Sequence, residues 1–313
     1  VTPAELAAGV RAGSQRALAR ALSVVERGGD TARLLLAELA TEGRPPHVTG
    51  ITGPPGAGKS SLVELLGLEM AERSGRVAVL AVDPSSPFSG GAVLGDRVRM
   101  PRLAAREGCF VRSMATRGAL GGLTAAAADA LDVFAAAGFP EVLVETVGVG
   151  QDEVDVVHLA DTVVVTLPPG LGDDIQAAKA GVMEIAHVFA VTKADLPGAD
   201  QAAAHIRAML ELGEPGPWRP PVVPVSAVEG WGITELADAI AGHARHALED
   251  GRQEALRLAR ARRRLRRAVE DLTWRTLTED AADGLEEIAA AVAGRRLDPY
   301  TAAERLLERL RKP

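Results

Sequence analysis

The stretch Gly53-Pro54-Pro55-Gly56-Ala57-Gly58-Lys59-Ser60 restricts this chain more than any other. It satisfies G-x-x-x-x-G-K-[ST] at every fixed position. His47–Thr52 before it reads as a short β-strand, and Ser61–Leu66 after it opens an amphipathic helix. Strand, glycine turn and helix N-terminus together make an anion site. The glycines let backbone N–H groups curl around phosphate oxygens, and the helix dipole adds partial positive charge. Lys59 is expected to reach the β- and γ-phosphates and Ser60 to offer its hydroxyl to Mg²⁺. Gly53, Pro54, Pro55, Gly56, Ala57, Gly58 and Ser61 complete the expected nucleotide-contacting set.

Around this loop, Val-rich runs alternate with helical stretches. Strands are expected at Arg76–Asp83, Phe110–Ser113, Glu141–Thr146, Thr162–Thr166, His187–Thr192 and Pro221–Val225, with an alanine-rich helix at Leu123–Ala137. Continuous apolar runs separated by helices predict an α/β fold with a mostly parallel central sheet covered on both faces. Ligands in such sheets sit at the carboxyl ends of the strands. The first 46 residues read as helical, with a break at Gly28-Gly29-Asp30 and Asp30 as the N-cap of a helix over Thr31–Ala40. From about residue 246 the chain becomes helical again and rich in arginine, including Arg262, Arg263, Arg264, Arg266 and Arg267. The expected organisation is a helical segment over 1–46, a P-loop NTPase domain over 47–245 and a helical arm over 246–313.

Composition narrows the function classes. A net charge of −7 and a pI near 5.5 argue against a general nucleic-acid binder. The tail arginines therefore read as a solvated face paired with Asp and Glu. The single cysteine, Cys109, excludes an internal disulfide and reads as a small buried hydrophobe. His243 and His246 are one helical turn apart and read as wet surface. With no signal-like opening and no apolar run of membrane-spanning length, the expectation is a soluble cytoplasmic protein without membrane contact.

A phosphate loop does not choose its base. Thr192-Lys193-Ala194-Asp195 ends a strand where GTPases place Asn-Lys-x-Asp. The Asp195 carboxylate is expected to accept from guanine N1–H and N2, a donor pair adenine lacks, and the Lys193 stem to cover the base. Thr192 departs from the usual Asn. Ser226-Ala227 matches the second guanine element, where a backbone N–H reaches O6. Glu145-Thr146-Val147-Gly148 occupies the place of Asp-x-x-Gly. Gly148 N–H is expected at the γ-phosphate and Glu145 at Mg²⁺ through a water. Position 149 is Val, so Gln151 is the candidate to orient the attacking water, and intrinsic hydrolysis is expected to be slow. Asp83 and Asp96 flank a glycine-rich loop suited to ordering on nucleotide. Both are hard oxygen donors for Mg²⁺ or its waters, and Asp96 also reads as a helix cap.

Together these elements resemble the methylmalonyl-CoA mutase-associated GTPases, SIMIBI-class P-loop proteins related to the human protein of methylmalonic aciduria type A. The resemblance rests on Gly53–Ser60, Val82–Met100, Glu145–Glu153, Gly172–Glu184, Lys193–Asp195 and Ser226–Ala227. It implies a GTP-hydrolysing chaperone that gates adenosylcobalamin loading and protects a B12-dependent acyl-CoA mutase. It places the family's catalytic Lys on Lys179, in a loop from about 170 to 184 that signals the partner. It also implies a homodimer through the tail helices and a cobalamin adenosyltransferase as a further partner. Two other readings compete: a metal-insertion GTPase of the same superfamily, which usually needs a Cys- or His-rich acquisition site, and a protein kinase-like phosphotransferase.

Overall fold

The computed structural model describes residues 1–40, 44–83, 100–115, 122–146, 159–170, 182–213, 216–280 and 282–310. Its centre is a parallel sheet of β1 (His47–Thr52), β2 (Val77–Asp83), β3 (Cys109–Ala115), β4 (Glu141–Thr146), β5 (Thr162–Leu167), β6 (Val188–Val191) and β7 (Val222–Pro224). The order across the sheet is β3-β2-β4-β1-β5-β6-β7. The strand leading into the phosphate loop therefore lies between β4 and β5, with Ile51 in register with both Glu145 and Val164.

Helices cover both faces, which is why the strands read as unbroken apolar runs. In chain order the described helices, those of the tail included, are α1 (Pro3–Arg11), α2 (Gln15–Arg27), α3 (Gly29–Leu39), α4 (Lys59–Ser74), α5 (Pro101–Ala105), α6 (Gly122–Ala136), α7 (Val182–Ile185), α8 (Ala199–Leu212), α9 (Ile233–Glu249), α10 (Arg252–Asp280), α11 (Ala282–Ala293) and α12 (Pro299–Leu310). The pleat sorts alternate side chains to opposite faces. Val142, Val144, Val163 and Val165 join the core beneath α1–α3, α6 and α8, whereas Leu143 and Val164 join the core beneath α4, α5 and α9. Cys109 is buried in the second of these, as its apolar neighbours predict.

The leading segment differs from the sequence reading in two ways. It holds three helices, because Ser14 caps α2 by accepting the Ala17 N–H at 3.3 Å. The apolar spacing runs through that turn and hides it. Asp30 is not a cap: Gly28 occupies that position, and Asp30 sits in the first turn of α3, paired with Arg33 at 3.1 Å. The segment is fastened to the edge strand β3, where Arg112 donates to Glu26 at 2.8 Å and to Ser23 Oγ at 3.2 Å.

The chain divides into two compact units, Val1–Leu256 and Arg257–Pro313. The second has its own small core of Leu277, Ile288, Ala302 and Leu306, flanked by Leu285, Val292 and Leu297. Leu258, Leu265, Val269 and Leu272 on α10 are exposed. Arg266 on the same helix pairs with Glu270 at 2.7 Å. Among the described residues, no helix is long and apolar enough to cross a membrane.

At the amino ends of the strands, opposite the phosphate loop, the structure corrects the reading of His243 as wet surface. His243 is 5% exposed. Its ring stacks on His187 at 4.0 Å and meets Trp218 edge-on at 5.1 Å. Thr162 Oγ1 bridges it, 2.8 Å from His243 Nδ1 and 3.0 Å from His47 Nε2, while His47 Nδ1 lies 3.2 Å from Glu141. Among the described residues, no group of His, Cys, Asp and Glu is arranged to hold a metal ion. Burial first, then the rings of His187, His47 and His246 and the Arg252 guanidinium, push the His243 pKa down to about 3. A folded pKa below the ordinary 6.5 means the neutral form stabilises the fold above pH 6.5, and that stability is lost as pH falls toward 3. Thermal melts between pH 7 and 4 should therefore show a shallower acid loss in His243→Phe than in the wild type, from a lower starting point. Parallel pH profiles would remove this assignment.

Candidate nucleotide site

The phosphate loop turns sharply because its glycines adopt backbone angles that other residues resist. Gly56 has φ 72° and Gly58 φ 82°. Gly53, at φ 144°, is required for a second reason: a Cβ there would lie 2.3 Å from both Thr166 O and Thr166 Oγ1. Thr166 holds β1 from its side of the crevice, donating its hydroxyl to Thr52 O at 3.0 Å. On the other side, Thr146 donates to Thr52 Oγ1 at 3.3 Å. Neither threonine was singled out from the sequence. The available signal was a hydroxyl residue at the end of an otherwise aliphatic strand.

Lys59 is the first residue of α4 and is 6% exposed. Its ammonium donates to Gly53 O at 2.7 Å and Pro54 O at 2.9 Å. The cation is thus held within the curl of its own loop. The first turn of any α-helix directs N–H groups outward, and the dipole places partial positive charge there. Ammonium, helix end and glycine turn converge on one candidate anion site. Gly53 and Ala57 are buried, Pro54, Gly58 and Ser60 half-buried, and Pro55, Gly56 and Ser61 exposed.

Beside the loop, Ser60 donates its hydroxyl to Glu145 Oε1 at 2.5 Å. Glu145 lies at the carboxyl end of β4 and is 1% exposed. Hydroxyl and carboxylate oxygens are the hard donors that Mg²⁺ takes, so this pair fits that ion chemically. The backbone of Asp83 ends β2, which pairs with β4. Its side chain, and Asp96, Gly148, Gln151 and Lys179, lie outside the described residues.

The candidate base-reading elements lie at the carboxyl ends of β6 and β7. Lys193 has φ 52°, a left-handed angle uncommon outside glycine, and both Lys193 and Asp195 are exposed. Ser226 is fully buried and donates its hydroxyl to Asp195 Oδ1 at 2.6 Å. The two motifs, 31 residues apart in sequence, are therefore one unit, with one carboxylate oxygen fixed by Ser226. Ala227 follows, half-buried. Thr192, where Asn was expected, is buried, and its hydroxyl has no hydrogen-bond partner among the described residues. Behind the site, Arg73 of α4 donates to Asp238 at 2.6 Å and to Thr234 O at 3.2 Å, joining the helix after the phosphate loop to the helix after Ser226-Ala227.

Comparison with known proteins decides the family. The family described as methylmalonyl-CoA mutase-associated GTPase MeaB matches residues 18–282. The chain belongs to that family. It is a nucleotide-binding P-loop GTPase. A Pyrococcus horikoshii protein assigned as a GTPase is 42% identical over 98% of both chains. The mouse methylmalonic aciduria type A homolog is 37% identical over 80% of this chain and 65% of its own length. A crystal structure described as an LAO/AO transport system kinase superposes with a TM-score of 0.70 at 29% identity, over 99% of this chain and 98% of that one.

Two variants test the loop. Lys59→Ala should weaken GDP by at least about a hundredfold, the scale of losing charge-assisted bonds to phosphate. Gly53→Ala should both lower the melting temperature and abolish nucleotide binding, since its Cβ meets the backbone of β5. Wild-type GDP affinity in either variant, measured by calorimetry, would contradict the site.

Proposed function

We propose that this GTPase is the chaperone of an adenosylcobalamin-dependent acyl-CoA mutase, with methylmalonyl-CoA mutase as the default partner. It gates cofactor loading and protects the mutase from inactivation, in concert with a cobalamin adenosyltransferase. The observation that carries this reading is the match over 18–282 to a family named for association with that mutase. The likeness to the mouse methylmalonic aciduria type A homolog supports it.

In this reading the reaction is attack of water on the γ-phosphorus of GTP, releasing GDP and phosphate. Gly53–Ser61 cradle the phosphates, and the Lys59 ammonium offsets charge on the β- and γ-oxygens. Ser60, with Glu145, Asp83 and Asp96, holds Mg²⁺ or its waters; the ion, when bound, neutralises the β- and γ-phosphate oxygens. Gly148, Gln151 and Lys179 act at the γ-phosphate and in partner signalling. Asp195 reads guanine N1–H and N2, Lys193 covers the base and Ala227 N–H reaches O6. The Ser226–Asp195 bond supports this, because a carboxylate with one oxygen fixed presents the other in a defined direction.

The remaining proposals concern assembly and place. The arm over 246–313 pairs with a second copy. The exposed Leu258, Leu265, Val269 and Leu272 support this, since their spacing puts them along one stripe of α10. The protein acts in the cytoplasm.

Two experiments test this function. Adding methylmalonyl-CoA mutase to the GTP-loaded protein should raise GTP turnover more than about tenfold, as partner activation does in other GTPases. No increase with any adenosylcobalamin-dependent acyl-CoA mutase would remove the chaperone role and leave the GTPase intact. Asp195→Asn should weaken GTP by orders of magnitude while sparing xanthosine triphosphate, whose 2-oxo group suits an amide donor. Equal loss of both would exclude base readout at Asp195.

A further inference from the structure

Beside the base-reading carboxylate lies an aromatic residue with no role in the reaction as described so far. Trp231 and Ser226 form an antiparallel bridge pair, with Ser226 N–H donating to Trp231 O at 3.1 Å. Residues opposite one another in such a pair carry their side chains on the same face, with Cβ atoms about 4.5–5.5 Å apart. The direction of the Ser226 side chain is known, because its hydroxyl reaches Asp195 at 2.6 Å. Trp231 therefore leaves the loop on the Asp195 side.

The loop that carries it is tightly tied. Gly230 N–H donates to Ser226 O at 2.8 Å, and Glu229 N–H to Ser226 Oγ at 3.1 Å. The indole N–H donates to Glu229 Oε2 at 2.7 Å, which fixes the ring. Behind it, Gly232 presses on β7 so closely that a Cβ would lie 2.2 Å from Pro224 O. The loop cannot retreat toward the sheet. Yet Trp231 is 42% exposed. Its polar atom is already engaged, so the remaining open surface is aromatic, and aromatic faces gain much from being covered.

The geometry points to Trp231 as the aromatic wall of the base pocket, stacking on the purine whose edge Asp195 reads. The proposal rests on the assignment of guanine to Asp195 and extends it. The division of labour is physical. Stacking on an indole adds affinity for any base, because every base has a π-face, whereas the carboxylate selects guanine by its donors. Lys193 and Trp231 then enclose the ring from two loops that the Ser226–Asp195 bond holds together.

The test uses the full chain and two probes, GDP and pyrophosphate, followed by tryptophan emission and calorimetry. GDP should quench wild-type emission, and most of that quench should vanish in Trp231→Phe. That variant keeps a stacking ring, so its GDP affinity should stay within about threefold of wild type. Trp231→Ala should weaken GDP about tenfold or more and leave pyrophosphate unchanged. The wall is overturned if Trp231→Ala binds GDP like the wild type, or loses GDP and pyrophosphate in equal proportion. If Asp195→Asn still loses GDP in that event, base reading stands and only the wall falls. If Asp195→Asn also binds GDP normally, the base assignment itself has failed.

Discussion

The structure depends on how closely β1 is gripped between its neighbours where it becomes the phosphate loop. Thr166 of β5 and Thr146 of β4 both bond to Thr52, and Gly53 passes Thr166 with no room for a Cβ. This contact sets where the loop begins and the direction in which it leaves the sheet. The rest of the candidate site is referred to that point. α4 starts a fixed distance later, Ser60 reaches Glu145 across to β4, and the Lys59 ammonium closes back on Gly53 and Pro54. A sheet built from Val-rich strands packed on both faces can hold such a register, because slipping one residue would move every strand side chain into the core on the opposite face, which is filled by other helices.

The site is a convergence of charge made mostly from backbone. A helix end, a glycine turn and one ammonium supply the positive potential, and a nearly buried carboxylate supplies the negative oxygen that a divalent ion takes. Burial of Lys59 and Glu145 strengthens their interactions relative to water. The candidate base-reading side chains lie elsewhere, at β6 and β7, and their positions depend on each other. Asp195 is exposed and would wander alone. Ser226, fully buried, gives it a direction. The phosphate loop and the Asp195–Ser226 pair are thus physically separate, joined through the sheet and through Arg73 between α4 and α9.

Much of this was legible in the residues. The phosphate loop, the parallel sheet and the tail helices follow from spacing alone, and β4 falls where it was expected, at Glu141–Thr146. Boundaries moved elsewhere: β3 runs to Cys109–Ala115, beyond the Phe110–Ser113 read from its apolar core. Backbone pairing with β2 extends it past its apolar residues, through polar positions such as Ser113. The turn at Gly13-Ser14 was missed because helical periodicity resumes in phase on either side. His243 was misread because two histidines on one helix say nothing about what packs on them. Only the fold brings His47, His187 and Trp218 from three other segments to enclose the ring. The Ser226–Asp195 bond was equally hidden, since each motif was recognised singly and their contact is a tertiary fact.

The central claim is that one chain grips a polyphosphate at β1 and chooses guanine at β6 and β7. Titration calorimetry of the full-length protein with GDP and with ADP, each in excess Mg²⁺, tests it most directly. The account predicts saturable binding of GDP at one site per chain, with ADP weaker by at least about two orders of magnitude, a difference of roughly 2.7 kcal/mol or more. Equal affinities for the two nucleotides, or binding of neither, would contradict it.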